Sequence, residues 1–139
     1  RYDLLDRVTH ILETLPGGVE ALVEYTYTPG GRKASVRFLK TEKGRVKTDV
    51  TTTTTYDKLG RETAIYVNRQ KRVVYGYTPG SLKVRTKWYA NGIRHEYEYG
   101  PDGRPVKVSA FQEEELVRGM AYTWNESGQL TQRVIFTGE

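Results

Sequence analysis

Thr51–Val67 reads TTTTTYDKLGRETAIYV. Five threonines lead into Tyr56-Asp57, then Leu59-Gly60-Arg61, and an alternating apolar strand follows with Thr63, Ile65 and Val67 on one side. Threonine is β-branched and stiff at χ1, so a threonine run suits a pleated strand. Asp57 and Gly60 are turn formers, with glycine where a reversing chain needs a positive φ. The stretch is either a low-complexity linker beside a stray turn or one strand–turn–strand unit of a series. The rest of the chain decides between these.

The pattern of an aromatic, glycine four residues later and then arginine recurs. Tyr27–Arg32 (YTPGGR) and Tyr99–Arg104 (YGPDGR) keep all of it. Trp124–Gln129 (WNESGQ) loses the arginine, and Tyr2–Arg7 (YDLLDR) has aspartate for glycine. Tyr77–Leu82 (YTPGSL) departs at both positions. The aromatics stand at 2, 27, 56, 77, 99 and 124, a period of 21 to 29 residues. Regular spacing of this kind marks a repeat architecture.

Within most units a second aromatic precedes the first by two residues: Tyr25 and Tyr27, Tyr75 and Tyr77, Tyr97 and Tyr99, Tyr122 and Trp124. That spacing puts both rings on one strand face, and Thr54 stands in the same place before Tyr56. After each turn the alternation resumes, as in Ala34-Val36-Phe38 and Val106-Val108-Ala110. A second reversal follows at Pro16-Gly17-Gly18, Glu42-Lys43-Gly44, Asn68-Arg69 and Asn91-Gly92. Each unit thus predicts a hairpin, giving one region over 1–139 with about six units starting near 2, 27, 56, 77, 99 and 122. The expected fold class is all-β, an antiparallel array of hairpins.

Leu4, Leu5, Val8, Ile11, Leu12 and Leu15 form an exception. Their spacing suits an amphipathic helix closed by Pro-Gly-Gly, whereas the repeat alignment suits strands. The sequence leaves both open.

Composition agrees with a sheet and limits the chemistry. Seventeen Thr, fourteen Val and eleven Tyr favour strands, and Leu, Ile, Val and Phe make only 31 of 139 residues, close to the lower bound for a buried core. Without cysteine there is no disulfide framework or thiolate metal site. No apolar run reaches the roughly 18 residues of a helical span, and no signal-peptide pattern is present. The first residue is Arg1 rather than Met, which reads as a processed product or a piece of a longer protein. Charge is concentrated in the middle: Arg32–Arg94 holds sixteen Lys/Arg against four Asp/Glu.

Tyr-x-Tyr-Asp-x-x-Gly-Arg at a period in the low twenties resembles the YD repeat of the rearrangement-hotspot (Rhs) family, which includes polymorphic toxins, toxin-complex subunits, wall-associated proteins and teneurins. YDLLDRVTHI, YDKLGRETAI and YEYGPDGRPVKV carry the resemblance most strongly, and it extends from Tyr2 to about Phe136. It implies an exported protein, secreted or at the cell surface, whose repeats form part of a β-shell around a cargo domain, commonly a toxin. By this resemblance Tyr25, Tyr27, Tyr56, Tyr75, Tyr77, Tyr97, Tyr99, Tyr122 and Trp124 stack between strands. Asp57, Gly31, Gly60, Gly103 and Gly128 set turns, and Arg7, Arg32, Arg61 and Arg104 pin each turn to its neighbour. No counterpart of the family's self-cleaving core motif is present, which leaves autoproteolysis unsupported.

Catalysis has little to draw on. His10 and His95 lie in strand-like alternation, and neither lies in a strained nucleophile turn. Two histidines and no cysteine make no metal cluster, and Gly30-Gly31-Arg32-Lys33 lacks P-loop spacing. The expectation is a non-enzyme without cofactor. Glu113-Glu114-Glu115 reads as a solvated turn or bulge.

Lys83, Arg85 and Lys87 alternate with Val84, Thr86 and Trp88, which places bases on one face and the aromatic on the other. That segregation argues against single-stranded nucleic acid, which wants both in one groove. It leaves Lys83, Arg85, Lys87 and Trp88 as the candidate contacts of an acidic glycan, the alternative to a structural role. Other expected partners are further repeats of a parent chain, self-association through open sheet edges, and the enclosed cargo.

Overall fold

A computed structural model describes residues 1–138. The fold is all-β and antiparallel. Its strands are β1 (His10–Leu15), β2 (Val19–Tyr27), β3 (Lys33–Glu42), β4 (Arg45–Tyr56), β5 (Glu62–Val67), β6 (Gln70–Tyr77), β7 (Val84–Tyr89), β8 (Ile93–Tyr99), β9 (Pro105–Gln112), β10 (Glu115–Trp124) and β11 (Leu130–Thr137). They follow one another in chain order in an open sheet, and no described residue is helical. By contact density the chain divides into two compact units, Arg1–Arg72 and Val73–Glu139.

In the first unit, Leu4–Leu15 is a turn followed by a strand. Tyr2 bridges to Val8, and β1 pairs with β2 from His10↔Glu24 to Leu15↔Val19. A helix is excluded locally: Asp6 sits at φ 57, and the Asp3 carboxylate accepts from the N–H groups of Leu5 and Arg7. The leucines that mimic a helical stripe are split between the turn tip, where Leu4 is fully exposed, and the faces of β1.

The two units share one connection scheme, in which motif turns alternate with tight reversals. Two of the reversals hold non-glycine residues at positive φ at both central positions, Asn68 and Arg69 in one, Glu113 and Glu114 in the other. This backbone matches the right-handed twist of the flanking strands. Glu113 and Glu114 form the β9–β10 turn itself, and Glu115 opens β10.

Plain alternation misses one element. The register slips by one residue at Thr26/Tyr27, Thr55/Tyr56, Gly76/Tyr77, Glu98/Tyr99 and Thr123/Trp124. Tyr27 pairs with Lys33 and Thr26 with Ser35, which leaves Ala34 as an extra residue; Thr63, Arg85, Val106 and Thr131 are its counterparts. A β-bulge therefore follows every one of these turns, bending the strand where the motif aromatic stands.

Among the described residues almost nothing is buried. Ala64 at 6% exposure and Ser109 at 5% are the buried side chains, while Ile11, Phe38, Trp88 and Ile135 are all exposed. Stabilisation therefore rests on half-buried cross-strand pairs, worth roughly 0.2–1 kcal/mol each. In the first unit a largely exposed apolar row crosses β1 to β4 as Ile11, Val23, Phe38 and Val50. On the opposite face Arg37 bridges Glu24 (2.9 Å) and Asp49 (2.8 Å), and His10 lies 3.4 Å from Glu24. The Arg37 guanidinium holds the Asp49 carboxyl below its ordinary range.

Candidate functional site

The motif turns share one hydrogen-bond scheme. Asp57 N–H donates to the Arg61 carbonyl (2.9 Å), and Gly60 N–H donates to the Asp57 carbonyl (2.9 Å). The same two bonds recur at Thr28/Arg32/Gly31, Gly100/Arg104/Gly103 and Asn125/Gln129/Gly128. Asp57 adds a side-chain cap: its carboxylate accepts from the N–H of Leu59 and of Arg61, and from Arg61 Nε at 2.6 Å. The Arg61 N–H is the largest of the influences holding the Asp57 pKa low. Asp3 repeats this with Leu5 and Arg7, while Asn125 keeps the cap without charge by accepting from Gln129 N–H.

Between neighbouring turns the structure builds a second device. The arginine that closes one turn lies over the aromatic of the next: Arg7 over Tyr27 at 4.5 Å, Arg32 over Tyr56 at 5.6 Å and Arg104 over Trp124 at 5.9 Å from the ring centre. The cation then reaches the glycine of that next turn. A Cβ placed on Gly60 would lie 2.3 Å from Arg32 Nη2, and one on Gly128 would lie 2.1 Å from Arg104 Nη2. Glycine here serves two needs, a positive φ and a space for the neighbour's guanidinium.

The aromatic answers in the other direction. Tyr27 Oη donates to the Val8 carbonyl (2.6 Å), Tyr56 Oη to Lys33 (2.8 Å), Tyr99 Oη to Val84 (2.7 Å) and Trp124 Nε1 to Pro105 (2.8 Å). Each acceptor directly follows the preceding turn. Two junctions in each unit are thus tied by a cation over a ring one way and a ring donor to a carbonyl the other way.

The turn after Tyr77, degenerate in sequence, also takes part in this scheme. It is one residue longer: Thr78 N–H donates to the Lys83 carbonyl, and the positive φ falls on Gly80. Lys83 takes the arginine's place, with Nζ 5.3 Å from the Tyr99 ring centre and 2.1 Å from where a Cβ on Gly103 would be. Sequence comparison by fixed offset misses Lys83; allowing for one inserted residue would have found it.

The expected separation of bases from aromatics around β7 is not what the structure has. Lys83 precedes the strand and Arg85 is the bulged residue, so Lys83, Arg85 and Lys87 do not form one alternating row. Lys87 lies 5.4 Å from the Tyr75 ring centre and 5.8 Å from that of Tyr97. Trp88 is on the other face, paired with Arg94, whose guanidinium sits 4.8 Å from the Trp88 ring and 4.7 Å from Phe111. Arg85 lines a shallow groove with Thr86, Glu96, Tyr97 and Glu98.

Among the first tyrosines of the pairs, Tyr25 lies under Lys33 (4.7 Å), and Tyr97 is in edge contact with His95 (6.5 Å). Tyr122 is tilted against Trp124 at 6.4 Å. Burial and the nearby Lys87 charge lower the His95 pKa, and burial together with neighbouring phenols raises that of Tyr97. Among the described residues no three His, Cys, Asp or Glu side chains gather where a metal could be held. Among the described residues no helix is long and apolar enough to cross a membrane. No family model matches the chain, and no curated protein matches it.

Proposed function

We propose that this chain is a structural segment of a YD-repeat protein, adding hairpins to a β-shell that encloses a cargo domain. The observation that carries this reading is the junction itself. Cation over ring and ring donor to carbonyl recur with the same polarity at Arg7/Tyr27, Arg32/Tyr56, Lys83/Tyr99 and Arg104/Trp124. Such a device makes each hairpin depend on its neighbour, which is the logic of a repeat array and needs no buried core.

In a parent protein carrying this segment, the cargo resists protease while the array is intact. Replacing Arg32 and Arg104 by alanine exposes it. A cargo domain cut equally fast in both proteins would overturn the reading. The isolated chain is expected to self-associate through the open edges of β1 and β11, and sedimentation finding a compact monomer at high concentration would contradict that.

A further inference from the structure

The two faces of the second unit differ in how their cations are satisfied. On the Trp88 face, Arg94 pairs with Glu96 (3.1 Å) and Glu114 (2.7 Å), and Lys107 with Glu98 (3.3 Å). Tyr75, Lys87, His95, Ala110 and Arg118 form one cross-strand row on the opposite face, and Arg133 pairs directly with Tyr122 beside it. Among the described residues Lys83, Lys87, Arg118 and Arg133 have no acidic partner within ion-pair distance. Glu115 stands on this face at the end of the Ile93–Gln112 row, and Asp102 pairs with Arg104 (3.1 Å) beside the Trp124 ring.

We infer that the tyrosine face of this unit binds a sulfated polysaccharide through Lys83, Lys87, Arg118 and Arg133. Charge complementarity gives the sign of the partner. The disposition gives its form: Lys87 and Arg118 share a row three strands apart, roughly 14 Å at ordinary strand spacing, which suits an extended polyanion. The rings select against nucleic acid. Lys87 lies over Tyr75 and Tyr97, Lys83 over Tyr99 and Arg104 over Trp124, so a base stacking on these rings would compete with a cation already there. What the face offers is ammonium and guanidinium donors, which match sulfate.

The test measures binding of a fluorescent heparin oligosaccharide to the 139-residue chain across a salt series. Replacing Lys87, Arg118 and Arg133 together by glutamine is expected to weaken binding at least tenfold and flatten the salt dependence, since fewer counterions are released. The charge-matched control Lys43→Gln, Lys58→Gln, Lys107→Gln is expected to lose no more than about threefold, the effect of net charge alone. Lys87 also packs on two rings, so Arg118→Gln with Arg133→Gln is measured separately, with circular dichroism establishing that it folds; it should lose at least threefold. Equal losses in the test and control variants would overturn the inference. So would absence of binding by the unaltered chain, or tighter binding of a single-stranded oligothymidylate.

Discussion

The guanidinium of Arg32 lies over Tyr56, 5.6 Å from the ring centre, and occupies the space that a side chain on Gly60 would need. One hairpin's closing residue therefore decides what the next hairpin's turn can hold. This ties the Gly and the Arg of successive motifs together, although they stand far apart in sequence.

A glycine comparison separates the two roles. Gly60 and Gly80 both have positive φ (75° and 67°), but nothing lies within 4 Å of a Cβ built on Gly80. Gly80→Ala should cost the backbone strain alone, about 1 kcal/mol. Gly60→Ala should cost about 0.5–1 kcal/mol more, because Arg32 must leave the ring. In an Arg32→Ala background that excess should vanish. Urea denaturation of the four proteins measures it, and equal costs at both glycines would contradict the account.

The Asp57 cap predicts an acid-sensitive turn. Hydrogen bonds from Arg61 hold the Asp57 pKa below its ordinary value, so its contribution is present above the unfolded pKa of about 3.9 and is lost as pH falls through the folded one. Asp57→Asn keeps an acceptor and removes the titration. Its melting temperature should fall less steeply than that of the unaltered protein between about pH 4 and pH 2. Parallel acid limbs would show that the cap carries no charge-dependent stability.

The β9–β10 turn should be improvable. Glu113 sits at φ 49, where asparagine is far more at ease than glutamate, while Glu114 pairs with Arg94 and is best left alone. Glu113→Asn should stabilise the protein by roughly 0.5 kcal/mol. A lower denaturation midpoint would contradict this.

The repeat and the all-β class were legible because the turn motif fixes chemistry at set offsets: an aromatic, a left-handed residue and a cation. The bulge was not, since Ala34, Thr63, Arg85, Val106 and Thr131 share no side-chain type and a bulge acts through backbone spacing. The same blindness put Arg85 in one alternating row with Lys83 and Lys87, when it is the bulged residue of β7. Leu4–Leu15 was ambiguous because a turn tip joined to a strand can scatter leucines at helical spacing. The interlock itself joins residues about twenty apart, and pairing across that distance follows from strand register, which periodicity alone does not supply.

The coupling of neighbouring hairpins is measured most directly at Arg7 and Tyr27, where the cation is closest to its ring at 4.5 Å. A double-mutant cycle with Arg7→Gln and Tyr27→Leu, read by urea denaturation, cancels the separate losses of the Asp3 pair and the Val8 hydrogen bond. The account predicts a favourable coupling of about 0.5–1.5 kcal/mol between the two residues. Additivity within about 0.3 kcal/mol would mean that the hairpins lie side by side without interlocking.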